Sequence, residues 1–173
     1  MTKTILPMTS PSHAIADTST LSALARIGCL DLLPLRFGSV RVPDAVWREL
    51  EAGKEMEAIE TASRAGWLQI VGVADSSWQP PISRLGSGET AVLALAMETS
   101  DTIILMDEKR GRRAARILGL QTTGVLGILS WAKHAGHIPS LAQAISDLRT
   151  KDRFFIAPDL LCELLEAAGE TME

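Results

Sequence analysis

The chain has 173 residues, 46% of them hydrophobic, and a formal net charge of −4. That is enough apolar material for one packed domain and excludes a largely disordered chain. The charge excludes a general polycation, so any affinity for nucleic acid must come from a local basic patch. Aromatic residues make up only 4%, with no Tyr and four Trp, which argues against an extended stacking surface for single-stranded RNA.

Cys29 and Cys162 are too few for a disulfide framework or a zinc site and read as reduced core thiols. Residues 1–12 look like a loose leader. The stretch from Met1 to Pro11 is polar, rich in Thr and Ser, and lacks the apolar core of a signal peptide. No apolar run approaches the roughly 18 residues of a membrane span. A soluble, cytoplasmic protein is the expectation.

In chain order, His13 to Ala16 reads as a short strand, and Asp17-Thr18-Ser19-Thr20 opens a helix through Ile27 that Gly28 breaks. Leu30 to Arg36 is a second helical piece. Ser39 to Val42 alternates as a strand should, and Pro43 starts the next helix at its preferred first position, through Leu50. Glu55 to Ala65 is a polar helix stopped by Gly66, and Trp67 to Val73 is strand-like. Residues 74–86, with Pro80-Pro81, form a loop. Ser87 to Thr99 is a helix rich in Ala and Leu, Thr102 to Met106 a buried strand, and Glu108 to Leu118 a helix ended by Gly119. Helices follow over Gly124 to Ala135, Ser140 to Leu148 and Pro158 to Ala168. Strands alternating with helices imply an α/β fold with a parallel sheet. We expect the main domain over 13–150 and a C-terminal helical extension over 151–173.

Asp17, Glu49, Glu89 and Asp107 stand where strands give way to helices or just inside helices. Parallel strands point their carboxyl ends into one crevice, so these remote acids should crowd together. Crowded carboxylates repel unless they share protons or hold a cation. Taken singly, each has a plainer role: Asp17 and Asp107 as caps of the helices they precede, Glu89 in the first turn of a helix capped by Ser87, Glu49 as a solvated helix residue. Taken together they suit Mg²⁺ or Mn²⁺, which prefer oxygen ligands and can activate a water for attack on phosphorus. Thr18 and Ser19 supply hydroxyls able to orient the carboxylates.

The strings Ala16-Asp17-Thr18-Ser19, Val42-Pro43-Asp44-Ala45-Val46-Trp47-Arg48-Glu49-Leu50, Gly86-Ser87-Gly88-Glu89-Thr90-Ala91 and Leu105-Met106-Asp107-Glu108-Lys109-Arg110-Gly111-Arg112 resemble PIN-domain proteins. The nearest likeness is to a prokaryotic branch of unknown function related to VapC-type toxin ribonucleases. It extends through Arg113 to Arg116, Leu118 to Leu120 and Gly124 to Gly127, and covers nearly the whole chain from residue 13. The resemblance implies a three-layer α/β/α sandwich around a parallel sheet. It also implies an Mg²⁺- or Mn²⁺-dependent endoribonuclease site for single-stranded RNA built on Asp17, Glu49, Glu89 and Asp107. It further implies a homodimer and, if the chain is the toxin of a toxin–antitoxin pair, a small antitoxin protein that blocks the crevice. Three positions depart from the pattern. Glu108 directly follows Asp107 and could stand in for it or add a ligand. Glu89 stands where VapC-type proteins more often carry Asp, and Thr20 stands where Pro is common, a change expected to be without consequence.

Lys109 to Arg116 is the one basic cluster in the chain. Arg110, Arg112 and Arg113 are therefore candidates for substrate phosphate, against the plainer reading of a solvated helix face. His13, His134 and His137 form no cluster in sequence. Gly86-Ser87-Gly88 lacks the Lys-Ser/Thr ending of a nucleotide loop. Two classes of function remain: a metal-dependent endoribonuclease, or a catalytically inactive PIN-like module that binds protein or RNA with its acids serving as caps.

Overall fold

A computed structural model of the chain describes residues 13–171; the leader expected over 1–12 lies outside them. Its elements are β1 (His13–Ala16), α1 (Thr18–Arg26), α2 (Leu32–Phe37), β2 (Ser39–Pro43), α3 (Asp44–Glu51), α4 (Met56–Arg64), β3 (Leu68–Val71), α5 (Ser87–Met97), β4 (Thr102–Leu105), α6 (Lys109–Ile117), β5 (Gln121–Thr123), α7 (Val125–His134), α8 (Leu141–Lys151) and α9 (Pro158–Ala168). The strands form one parallel sheet in the order β3-β2-β1-β4-β5, with helices packed on it as a three-layer α/β/α sandwich.

The central strands explain the topology. Ala14, Ile15 and Ala16 of β1 pair with Ile103, Ile104 and Leu105 of β4, and all six are at most 1% exposed. A strand covered on both faces carries an unbroken apolar run, and these do. The outermost strand on one side, β5, has the sequence Gln-Thr-Thr and is half-exposed. It carries neither an apolar run nor alternation, so no strand is expected there from the residues alone. Its place comes from pairing with β4, Ile104 opposite Thr122.

Several boundaries shift by one residue for physical reasons. Pro43 ends β2 in extended conformation and acts as the N-cap of α3, which begins at Asp44 rather than at the proline. Gly86, not Ser87, is the N-cap of α5. Glu108 caps α6, accepting from the amides of Lys109 and Arg110. Cys162 departs from the core-thiol expectation. Helix α9 turns Leu161, Leu164, Leu165 and Ala168 toward the body, which leaves position 162 on the outer face, exposed; Cys29 is half-buried.

The loop after β3 is held down. Glu98, at the end of α5, accepts from the amides of Ala74 and Asp75 at 3.1 and 3.0 Å, and Trp78, Ile82 and Leu85 rest against the core. The C-terminal helix packs on α7 and α8, with Leu165 in the core. Just beyond it Glu170 accepts from the amides of Leu141 and Ala142, from the Ser140 hydroxyl and from the Lys133 ammonium, tying the C-terminal segment to the first turn of α8. Among the described residues no helix is long and apolar enough to cross a membrane.

These donors hold the Glu170 carboxyl down to about 2, the amide of Ala142 contributing most, from an ordinary value of 4.5. A depressed acid contributes stability that is present above its unfolded value and lost as pH falls toward the folded one. Glu170→Ala should therefore lower the melting temperature at pH 7, and the gap between variant and wild type should close as pH is lowered from 4.5 toward 2. Thermal melts across that range check this; a gap that persists unchanged at the acid end would contradict it.

Candidate active site

The chain winds from β1 through β2 to β3 on one side of the sheet and from β4 to β5 on the other. The reversal falls between β1 and β4, and such a switch opens a crevice beyond the strands' carboxyl ends. Asp17 follows β1 directly and is 4% exposed. It caps α1: Oδ1 accepts from the Thr20 amide at 2.8 Å, and Oδ2 accepts from the Ser19 hydroxyl at 3.0 Å. Asp107 lies two residues past β4. It does not cap the helix that follows it, a task Glu108 takes. Its oxygens instead accept from the Val125 amide at 3.2 and 3.1 Å, capping α7.

Thr20 joins the two acids. Its amide serves Asp17, and its hydroxyl donates to Asp107 Oδ2 at 3.3 Å. The substitution expected to be without consequence is thus a contact between the two strand-end carboxylates. A proline here would have neither the N–H nor the hydroxyl.

Glu49 and Glu89 approach from the other side. Glu49 Oε2 accepts from the Thr18 hydroxyl at 2.5 Å, while Oε1 accepts from the Ser87 hydroxyl at 3.1 Å and the Gly88 amide at 3.0 Å. It therefore ties α3 to the starts of α1 and α5. Glu89 reaches back to the Gly86 amide through Oε2 at 2.8 Å, one half of a capping box. Its other oxygen, Oε1, is buried and has no hydrogen-bond partner. A cleft of about 320 Å³ lies among Asp17, Thr18, Ser19, Glu49, Glu89 and Glu108. Asp107 lines a second hollow, of about 610 Å³, with Arg112, Thr123 and Gly124.

Small residues make these approaches possible. A Cβ on Gly88 would stand 2.7 Å from Glu49 Oε2, and one on Gly124 would run into Asp107 Oδ1. Gly88, Gly124, Thr20 and Ser87 are the site residues that reasoning on the acids alone missed. Glycine beside a helix start was the available signal for the first two.

Burial pushes the Asp17 carboxyl up from 3.8 to about 6 against the pull of its Thr20 and Ser19 hydrogen bonds, and the nearby Asp107 charge adds to the rise. Burial also raises Asp107, opposed by the Val125 amide, the Thr20 hydroxyl and the Arg112 guanidinium. Both acids thus ionise at a cost that no ion pair removes, because neither is in a salt bridge among the described residues.

Whether a divalent cation fits can be judged from the donors. Among the described residues no three His, Cys, Asp or Glu side chains stand close enough together to hold one ion as they are. The four acids therefore share one end of the sheet without forming a closed ligand cluster, and Glu49 has both oxygens engaged. Yet the donors are all oxygen, two are strand-end aspartates without a salt bridge among the described residues, and Glu89 presents a buried oxygen with no partner. An oxygen set of this kind suits Mg²⁺ or Mn²⁺, which keep several waters and need few protein ligands. The residues fit the ion.

The shift at Asp17 sets a sign. Between pH 3.8 and about 6 the folded state binds this proton more tightly than the unfolded chain, so stability falls as pH rises through that window. By neutral pH the loss amounts to about 3 kcal/mol. Asn caps a helix as well as Asp does, so Asp17→Asn should keep the turn and lose the penalty. The metal-free variant should be more stable than wild type at pH 7 by up to about 3 kcal/mol, and its stability should vary less between pH 4 and 6. Denaturant melts in chelator would show this, and equal slopes for both proteins would contradict it.

A family model described as DUF3368, a PIN domain, matches residues 13–170. No curated protein matches in sequence. Among solved structures the chain is similar to the PIN domain endonuclease Utp24, at 14% identity and a TM-score of 0.51 over 67% of this chain and 86% of that one. It is also similar to a PilT N-terminus domain protein, SSO1118, from the hyperthermophilic archaeon Sulfolobus solfataricus P2, at 12% identity and a TM-score of 0.52 over 69% of this chain and 92% of that one. Likeness at that identity speaks for the fold, and the family model spans nearly the whole chain: this protein belongs to the PIN-domain family, whose members are typically nucleases.

Proposed function

We propose that this protein is a metal-dependent endoribonuclease of single-stranded RNA. The observation that supports it most is the pair of aspartates, Asp17 buried and Asp107 partly buried, at the ends of adjacent central strands, joined through Thr20 at the sheet's switch point, with the unpartnered Glu89 oxygen in the cleft beside Asp17. Asp17, Asp107 and Glu89 would hold Mg²⁺ or Mn²⁺. When bound, the ion would supply Lewis acidity, activating a water for in-line attack at phosphorus and stabilising the leaving oxygen.

The rest is done by the chain itself. Ser19 and Thr20 fix the direction of the Asp17 carboxylate, which with an upper value of about 6 is ionised at neutral pH. Arg112 favours the charged form of Asp107 from the same hollow. Glu49 clamps the starts of α1 and α5, so Glu89 is held at a fixed distance from β1. Arg110 and Arg113 on α6 are exposed and make no salt bridge among the described residues, which leaves them available for substrate phosphates. The role of toxin, a protein antitoxin covering the cleft and a homodimer belong to the same reading and rest on the VapC-type resemblance; a cytoplasmic location rests on the two cysteines and the polar N-terminal stretch.

Incubation of a single-stranded RNA with Mn²⁺ tests the core of this. Wild type should cut it, and Asp17→Asn and Asp107→Asn should each cut about a hundredfold more slowly or worse. Millimolar Mn²⁺ should also raise the melting temperature of wild type but not of Asp17→Asn. No cutting and no thermal shift would favour a catalytically inactive module whose acids are only caps.

The arginines give a separate test. If Arg110 and Arg113 each contact one phosphate, Arg110→Ala and Arg113→Ala should each flatten the slope of log affinity against log salt by about 0.7. Unchanged slopes would return α6 to the status of a solvated face.

A further inference from the structure

A third cavity, of about 370 Å³, is lined by residues that neighbour those of the acidic cleft in sequence, Arg48 next to Glu49 and Ser87 next to Gly86. It lies between the start of α3, the outer side of α5 and the loop that follows β3, and no step of the proposed cleavage uses it. Its walls are Val73, Ala91, Ala94 and the half-buried Trp78, with Asp44 and Arg48 at the polar side. Ser87 lines this cavity, and its hydroxyl donates to Glu49 Oε1 in the cleft, so one hydrogen bond links the linings of the two spaces.

We propose that this cavity is a subsite for one unpaired nucleobase of the RNA, flanking the phosphate to be cut. The inference rests on the nuclease reading and adds to it a binding pocket and a residue, Trp78, that reads the strand by stacking. The volume falls in the range of small-molecule pockets, about 300–1,000 Å³, which admits one nucleoside and not a duplex. Trp78 offers a flat ring beside small apolar walls, the arrangement that stacks a base irrespective of its identity. The Asp44 carboxylate stands at the edge to accept from amino or imino hydrogens. Arg48 spends its Nε on the Asp44 carbonyl at 3.2 Å and is exposed, so the remainder of its guanidinium is free for a phosphate on the strand running into the cleft.

The subsite is also built in advance. Glu98 fixes the loop amides of Ala74 and Asp75, and the Trp78 amide closes a turn onto the Asp75 carbonyl at 3.3 Å. The ring therefore does not have to be ordered when RNA arrives, which lowers the cost of binding.

The test uses a fluorescein-labelled single-stranded RNA decamer in chelator, so the strand stays intact whether or not the protein is a nuclease. Binding should quench the intrinsic tryptophan fluorescence of wild type, and the quench should be lost in Trp78→Phe. Affinity should fall in the order Trp78, Trp78→Phe, Trp78→Leu, the last weaker than wild type on the order of tenfold. A decamer lacking bases throughout carries the same phosphates and should bind wild type as weakly as the intact decamer binds Trp78→Leu. That comparison needs no variant, so it still decides the matter should Trp78→Leu fail to fold. The subsite is overturned if the quench survives in Trp78→Phe, if the baseless strand binds as well as the intact one, or if duplex RNA competes equally. A decamer that binds in the expected pattern but is not cut with Mn²⁺ would keep the subsite and remove the nuclease. Cutting without the pattern would do the reverse.

Discussion

The Asp17–Thr20–Asp107 contact is the constraint from which the rest of the site follows. Parallel pairing of β1 with β4 forces the residues beyond Ala16 and Leu105 to emerge side by side. Placing an acid after each strand brings two like charges together in a space with little water, and burial raises both carboxyls. The chain answers with dipoles, since no lysine or arginine forms a salt bridge with either acid among the described residues. The amide ends of α1 and α7 each face one aspartate, and Thr20 donates to both. Helix starts and hydroxyls offset part of the desolvation, and under the proposed function a cation would offset the remainder.

The remaining acids divide into structural and available oxygens. Glu49 has both of its oxygens occupied by donors from α1 and α5, so it acts as a clamp whose loss would let α5 drift from β1. Glu89 gives one oxygen to its own helix start and keeps one unpartnered. Glu has one methylene more than Asp. At this position that length allows the carboxylate to reach back to Gly86 while Oε1 stays in the interior. Capping and the proposed ligand binding, which look like rival explanations when each acid is read alone, are therefore compatible in one side chain, since Glu89 caps with one oxygen and leaves the other without a partner.

What could be read from the residues follows the strength of local signals. The runs Ala14-Ile15-Ala16 and Ile103-Ile104-Leu105-Met106 announce buried central strands, and the acids after them announce the crevice, because parallel sheets always align their carboxyl ends. Pro158 at the head of α9 and Gly169 at its end, φ +68°, mark that helix at both limits. By contrast β5 has no local signature, being three polar residues recruited by the edge of β4. The service of Asp107 to α7 rather than α6 could not be read either. It depends on the pairing of β4 with β5, Leu105 opposite Thr123, which sets Val125 beside residue 107, a fact of tertiary structure and not of spacing. Thr20 was passed over for a related reason: a hydroxyl contact spanning the distance from α1 to the end of β4 leaves no periodicity in the chain.

Composition speaks only of averages. An aromatic share of 4% and a negative net charge argue against a broad stacking platform and a general polycation. Neither average bears on a single ring or a single helix. Affinity for a flexible strand is a sum over few contacts, and one stacked base is worth about 1–3 kcal/mol, comparable to the penalty that burial imposes on Asp17. Trp78 beside Ser87, and the arginines of α6 just beyond Asp107, place the scarce aromatic and basic groups on the two flanks of the acids. Under the proposed function an acidic protein could hold RNA on those terms, because the strand would meet positive charge and a flat ring on either side of the acids, and would meet the carboxylates only where a cation stood between them.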